Sequence, residues 1–443
     1  MIPSLRVVGS IKRWRTAPQA LLVVLVATLT LRGALSAQPI GSPERARGRQ
    51  MLGTVRDHIE KYYYDSAFRG IDLRAAAARA DSQIRLATSH SQIFTIIARF
   101  VQSLDDSHTT FIPPDRVTEV HYGWELQMIG DSCFVVWVAP KSDAAAKGLR
   151  IGDRVLAVDK HQPSRRHFWL LSYNLYALSP RSVVRLEVEA SDGSPRAMSV
   201  QASVTKRPFK DLAALVREAE NAETQATGES VKVGDSLLIL RLGKFGDASE
   251  IDRVMRDVHN TNTLILDLRG NPGGPELGLS RLVGHVFDQR LVIGTIRSRR
   301  DTSVIESKPV RDPFTGRLYV LIDSRSASSA EMFAYLIQLK GRGVVLGDRS
   351  AGAVMRSRTY RLITGMSTII FYQLSIADAD VIMPDGTRLE GRGVQPDALV
   401  LPSGADLAAG RDPVLAIALT MAGRPMDATR ASALLRRQGA QPR

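Results

Sequence analysis

Two short segments of this chain carry residue types that could do acyl-transfer chemistry. The first is Leu264-Ile265-Leu266-Asp267-Leu268-Arg269-Gly270-Asn271-Pro272-Gly273-Gly274, an apolar run that ends in a polar, glycine-rich turn. The second is Ser326-Ala327-Ser328-Ser329-Ala330-Glu331, which puts Ser328 where an apolar run gives way to helical spacing. Adjacent glycines adopt positive φ without steric cost and let the backbone come close to a ligand, so the amide of Gly274 could face a developing oxyanion. Ser328 could then be the nucleophile. A serine that merely caps a helix fits the same position.

The elements that must hold these residues can be read around them. Leu264 to Leu268 reads as a strand buried on both faces, which puts the glycine turn at its carboxyl end, where open α/β sheets bind ligands. Leu318 to Ile322 reads as a second strand, and Ala330, Phe333, Ala334 and Ile337 repeat at helical spacing until Gly341 and Gly343. Ser328 therefore falls at the first turn, where free amides and the helix dipole favour negative charge. Further upstream, Ile93, Phe94, Ile97, Phe100, Val101 and Leu104 predict a helix over 91–104, followed by the polar turn Asp105-Asp106-Ser107-His108-Thr109.

With Gly347-Asp348-Arg349-Ser350-Ala351-Gly352 and Glu390-Gly391-Arg392-Gly393-Val394-Gln395-Pro396-Asp397, the motifs follow the order of a known serine peptidase family. The chain beyond residue 50 resembles the C-terminal processing (tail-specific) proteases and the tricorn protease core. The resemblance implies a nucleophile at Ser328 and an oxyanion hole from the amides of Gly274 and Ser329, with Gly273 beside the substrate. Tail-specific proteases carry a lysine base directly after the second glycine of the return, and here that position is Ala353. Arg356 stays protonated, and Lys340 lies roughly 18 Å along the helix from Ser328. Histidine remains, and the Asp105-to-Thr110 turn resembles the segment that supplies it in the tricorn-like branch, which implies His108 as general base. None of the other seven histidines has such surroundings. The same branch implies Ser107 and Glu390 as the relay that orients the imidazole. A rim carboxylate paired with Arg388 or Arg392 is the plain alternative for Glu390. No metal or organic cofactor is expected.

Tyr122-Gly123-Trp124, the run Phe134 to Val138, and Gly148-Leu149-Arg150-Ile151-Gly152-Asp153 resemble a PDZ domain. That resemblance implies a peptide tail added to the strand Glu125 to Met128, with Tyr122, Gly123 and Trp124 at its carboxylate. A spacer or lid is the other reading of such a module.

Residues 1–37 combine Arg6, Lys12, Arg13 and Arg15 with the apolar run Ala20 to Leu31 and a small-residue exit, the pattern of a secretory signal peptide; an uncleaved anchor is the second reading. The net charge is +14, and loss of the signal's five cations would leave about +9, a surplus suited to membrane or anionic envelope surfaces. The basic residues are scattered with no recognition motif, so nucleic acid is not an expected partner. Cys133 is the only cysteine, which excludes an intramolecular disulfide.

Together these readings predict an α/β protein with a ClpP/crotonase-like spiral core, an inserted β-rich PDZ domain and a helical N-terminal layer. The expected division is 1–37 signal peptide, 38–116 helical region, 117–206 PDZ-like domain, 207–410 peptidase core, and 411–443 C-terminal helix and tail. Residues 215–230 read as a linker or exposed helix, and the chain after Pro425 as partly disordered. The expected function is an exported serine endopeptidase, periplasmic or extracellular, acting on peptides or unfolded protein tails and able to form homo-oligomers. A non-catalytic peptide- or ligand-binding protein on the same scaffold is the alternative.

Overall fold

The apolar run that ends at the glycine turn forms the strand Thr263–Asp267, and every residue in it is buried. It lies inside a six-stranded sheet, between Leu237–Lys244 and Arg317–Ile322. Val344–Gly347 and Ala398–Leu399 continue the parallel order, and Thr227–Val233 closes the far edge antiparallel. Strands covered on both faces need apolar side chains on both. Leu238, Leu240, Leu264, Leu266 and Val320 enter one core, while Leu237, Ile239, Ile265, Tyr319 and Leu321 enter the other. The helices Ala248–Met255, Glu276–Val286 and Ser329–Leu339 cover the first face, and Pro413–Met421 and Ala428–Leu434 cover the second.

A second, antiparallel sheet joins Thr110–Ile112, Ile370–Ile382, Leu291–Ser298 and Thr302–Ser307, with Met355–Thr364 also paired to Ile370–Ile382. The helices Ser42–Tyr62, Leu73–Arg85 and His90–Gln102 pack on it through Val55, Ile59, Ile84, Ile97 and Phe100. A third sheet of five antiparallel strands runs from Trp124–Ile129 to Pro195–Gln201. The ribbon Thr118–His121 against Ser203–Lys206 brings the two ends of that module together.

The computed structural model describes residues 40–116, 118–206, 227–365 and 369–435, all within the unit Ile40–Arg443. The expected signal peptide and residues 215–226 of the expected linker lie outside them. One expectation is corrected. Residues 227–230 belong to the edge strand Thr227–Val233, because their backbone pairs with Leu237–Lys244 despite a polar sequence. Residues 428–434 are helical, with Asp427 capping the amides of Thr429 and Arg430 and Ala431 fully buried. Among the described residues, no helix is long and apolar enough to cross a membrane.

Candidate active site

The glycine turn is held from several sides. Asp267 and Asp412 flank the guanidinium of Arg269 at 2.8 Å each, which ties the end of the strand to the helix Pro413–Met421. The fully buried Asn271 donates to the carbonyl of Leu242 at 2.7 Å, accepts from the amide of Gly273 at 2.7 Å, and through its own carbonyl accepts from Ala327 N at 2.9 Å. Gly273 has φ +94°, and a Cβ there would stand 2.7 Å from the Cβ of Ser328. Only glycine fits so close an approach. The carbonyl of Gly274 accepts from Ser329 Oγ at 2.8 Å, while the amides of Gly274 and Ser329 donate to no protein acceptor among the described residues.

Ser328 stands at the start of the helix Ser329–Leu339 with φ +55° and ψ −120°. Ordinary N-cap residues take the extended region, as Ser89, Ser142 and Ser403 do here, each accepting a bond from the following turn. A non-glycine residue at positive φ is strained, and a sharp strand-to-helix turn of this kind is how a nucleophile elbow presents its hydroxyl. The Ser328 amide is shared between Ala353 O at 2.9 Å and Glu331 Oε2 at 3.0 Å.

Ser107, His108 and Glu390, from distant parts of the chain, form one hydrogen-bonded line. Ser107 Oγ lies 2.6 Å from His108 Nδ1 and donates to Glu390 Oε2 at 2.8 Å. Glu390 also accepts from Ser107 N at 2.9 Å and Val354 N at 2.8 Å. Because the single hydroxyl proton of Ser107 goes to the carboxylate, Oγ must accept from Nδ1–H, and this tautomer leaves Nε2 as the basic nitrogen. Burial lowers the His108 pKa below the usual histidine value, opposed by Glu390 and Asp106. Arg388, one of the two arginines in the rim-carboxylate alternative for Glu390, pairs instead with Asp380.

The His108 turn is itself anchored. Asp106 Oδ1 accepts the amides of His108 at 2.9 Å and Thr109 at 2.6 Å, and Thr109 Oγ1 accepts from Ala377 N at 3.0 Å. Thr110–Ile112 then pairs with Ile370–Ile382. The bridge to the serine is short: Ala353 O bonds the Ser328 amide and the next amide, of Val354, bonds Glu390. A cavity of about 520 Å³ opens at this junction, lined by Ser107, Ala351, Ala353, Glu390, Met128 and Trp169 among others.

Tyr122, Gly123 and Trp124 lie elsewhere, around a groove of about 630 Å³ walled by Leu126, Phe168 and Leu171. Tyr122 is buried, stacks on Trp124 at 5.2 Å, and uses its hydroxyl to accept from Arg181 N and to donate to Leu175 O. The open edge of Trp124–Ile129 is partly occupied: Leu126 O accepts from Arg325 Nη2 at 2.8 Å and Met128 O from Ser324 Oγ at 2.5 Å. Cys133 is buried in the adjoining strand, with its thiol pKa pushed up to about 12 by burial. Among the described residues, no group of His, Cys, Asp and Glu is arranged to hold a metal ion.

Sequence reasoning gave no role to Asn271, Asp106 or Glu331. For Glu331 a signal was present, since Ser328-x-x-Glu331 has capping-box spacing.

Residues 236–400 match peptidase family S41. The chain is 23% identical over 337 residues to the carboxyl-terminal-processing peptidase 1, chloroplastic, of Arabidopsis thaliana, covering 71% of this chain and 64% of that protein. It is 24% identical over 281 residues to a tail-specific protease of Haemophilus influenzae, covering 58% of this chain and 38% of that one. The chain thus spans less than two thirds of the length of these two relatives. The solved structure of mature CPAF complexed with lactacystin superposes with a TM-score of 0.63 at 16% identity, over 83% of this chain and 96% of that one, a likeness of fold. Residues 236–400 are thus similar to peptidase family S41, and the relatives that match are proteases, which supports a serine-type peptidase.

Proposed function

We propose that this protein is an exported serine endopeptidase that cleaves peptides or unfolded protein tails through an acyl-enzyme, without the lysine base of the tail-specific branch. The observation that carries the reading is the conformation of Ser328, φ +55° and ψ −120°, which an ordinary capping serine does not need. In the proposed reaction His108 Nε2 takes the Ser328 hydroxyl proton as Oγ bonds to the peptide carbonyl carbon. The amides of Gly274 and Ser329 receive the oxyanion. Collapse of the tetrahedral species breaks the C–N bond, and His108 returns the proton to the leaving amine. Water then repeats the cycle on the ester and frees Ser328. Ser107 and Glu390 hold the imidazole in the required tautomer and stabilise its protonated form.

The residues 117–206 are proposed as a PDZ-like module that captures substrate tails near Tyr122, Gly123 and Trp124. Strand addition there requires Arg325 and Ser324 to release the Leu126 and Met128 carbonyls. Export rests on the character of residues 1–37.

The test is labelling of the purified protein with a fluorophosphonate probe, with mass-spectrometric mapping. The expected result is a single modified residue, Ser328, with labelling lost in Ser328→Ala and strongly slowed in His108→Ala. A folded wild type that stays unlabelled, alone and with candidate peptides, would turn the assignment to a binding protein.

A further inference from the structure

Glu331 has no exposed surface, and no cation is among its hydrogen-bond partners. Oε1 accepts from Ser350 Oγ at 2.6 Å and Gly352 N at 2.7 Å; Oε2 accepts from Ala353 N at 2.9 Å and Ser328 N at 3.0 Å. Capping its own helix would need one or two of these bonds. The others reach the return segment 350–353, and Ser350 Oγ in turn accepts from Val394 N at 2.6 Å. One carboxylate thus fixes the nucleophile's amide and the loop whose next amide, that of Val354, holds Glu390.

Three of the four partners are backbone amides, which donate and cannot accept. The ionised carboxylate accepts from all four, whereas a carboxylic acid must either place its O–H against an amide and lose that bond, or turn it toward Ser350 Oγ, reversing that bond and displacing the hydroxyl's own proton. We propose that Glu331 is a positioning residue whose ionisation locks Ser328 and the return segment in register, so that the site is active with the carboxylate and relaxed with the acid. This proposal rests on the peptidase reading given above.

The charge environment supports it. Burial pushes the Glu331 pKa up to about 7 against the pull of its four donors. The ionisable groups on the surrounding segments are Asp348, Arg349, Glu390, Arg392 and His108, and none of them bonds to Glu331. His108 is shifted the other way, lowered from the usual histidine value by burial. An acid limb that moves in Glu331→Gln and Ser350→Ala therefore belongs to Glu331. Stability runs the opposite way: a carboxyl raised on folding loses stability as pH rises from its unfolded value to its folded one.

The experiment is the second-order rate of fluorophosphonate labelling at Ser328 between about pH 5 and pH 9, for the wild type, Glu331→Gln and Ser350→Ala. The wild-type rate should rise about tenfold from pH 6 to pH 8, following the ionised fraction. Glu331→Gln should lower the plateau and remove this limb, leaving only the His108 limb at lower pH. Ser350→Ala keeps the carboxylate but removes one donor, so the midpoint should move upward. It decides the matter even where Glu331→Gln does not fold. An unmoved limb in either folded variant would overturn the proposal while leaving the peptidase reading intact. No labelling of the wild type at any pH would overturn both.

Discussion

Ser107→Ala isolates the relay between His108 and Glu390 without dismantling the turn that carries it. The substitution deletes Oγ, which lies 2.6 Å from His108 Nδ1 and 2.8 Å from Glu390 Oε2, and leaves the backbone amide of residue 107 bonded to Glu390 at 2.9 Å. Glu390 also keeps the Val354 amide, so the carboxylate remains anchored. Stability should fall by about 1.5–3 kcal/mol, the order expected for loss of a hydrogen bond to a charged group. The larger effect falls on the transition state. There His108 carries a positive charge, and its Nδ1–H has lost the acceptor that passed this charge on to Glu390. A charge-assisted bond of about 1.5–3 kcal/mol corresponds to a rate loss of about 10- to 150-fold. The assay is the fluorophosphonate labelling rate at saturating pH, with the melting temperature measured on the same sample. The tautomer adds a second readout, since an imidazole freed from Ser107 can place its proton on either nitrogen. A Ser107→Ala protein that labels within twofold of wild type, while Ser328→Ala does not label, would refute the relay.

Two further substitutions probe the scaffold. Gly273→Ala puts a methyl group 2.7 Å from Ser328 Cβ and 2.9 Å from Ala327 O at φ +94°, so the serine must shift. Labelling should fall at least about a hundredfold, as for misplacements of about 1 Å, with a folded far-UV spectrum; an unchanged rate would show that the close approach is unimportant. Asp412→Asn leaves the partly buried Arg269 with Asp267 alone and should cost about 1.5–3 kcal/mol, read from urea unfolding near neutral pH. The Asp412 carboxyl is held below its usual range by Arg269, against the effect of burial. Its contribution is therefore full above the unfolded carboxylate value of about 4 and is lost as pH falls through the lower folded value. The variant's deficit should shrink in that acid window.

The parallel strands were legible because an open α/β sheet covered on both faces demands unbroken apolar runs, and Leu264 to Leu268 and Leu318 to Ile322 are such runs. The glycine turn was legible because positive φ and close approach restrict the residue type, whereas Ser328 was singled out by its place between a strand and a helix and by the resemblance. The strand Thr227–Val233 was missed because an edge strand needs backbone pairing and tolerates polar side chains. Asn271 and Asp106 were missed for a related reason. Their work is local bonding to backbone amides and carbonyls, and an asparagine or aspartate in a polar turn gives no sign of which atoms it will meet. His108 was reached only through the resemblance, since 220 residues separate it from Ser328 and no local period records that distance.

The position where a lysine was expected shows how the fold permits more than one base. The return segment leaves the parallel sheet at Gly347 and enters the antiparallel sheet at Met355, crossing between the layer that holds Ser328 and the layer that holds His108. At the crossing Ala353 contributes only backbone: its carbonyl meets the Ser328 amide and its amide meets Glu331. Those bonds are available to any residue other than proline, whose missing N–H would break one of them. A lysine in the same backbone would start its side chain beside the nucleophile, and the short alanine gives up that option while keeping the crossing intact. Under the proposed reaction the base comes from the other layer, where the strand Thr110–Ile112, the Thr109 hydroxyl and the Asp106 carboxylate hold one polar turn in place. Under the proposed reaction, catalysis by this chain depends on the docking of two sheets where a lysine dyad would depend on one.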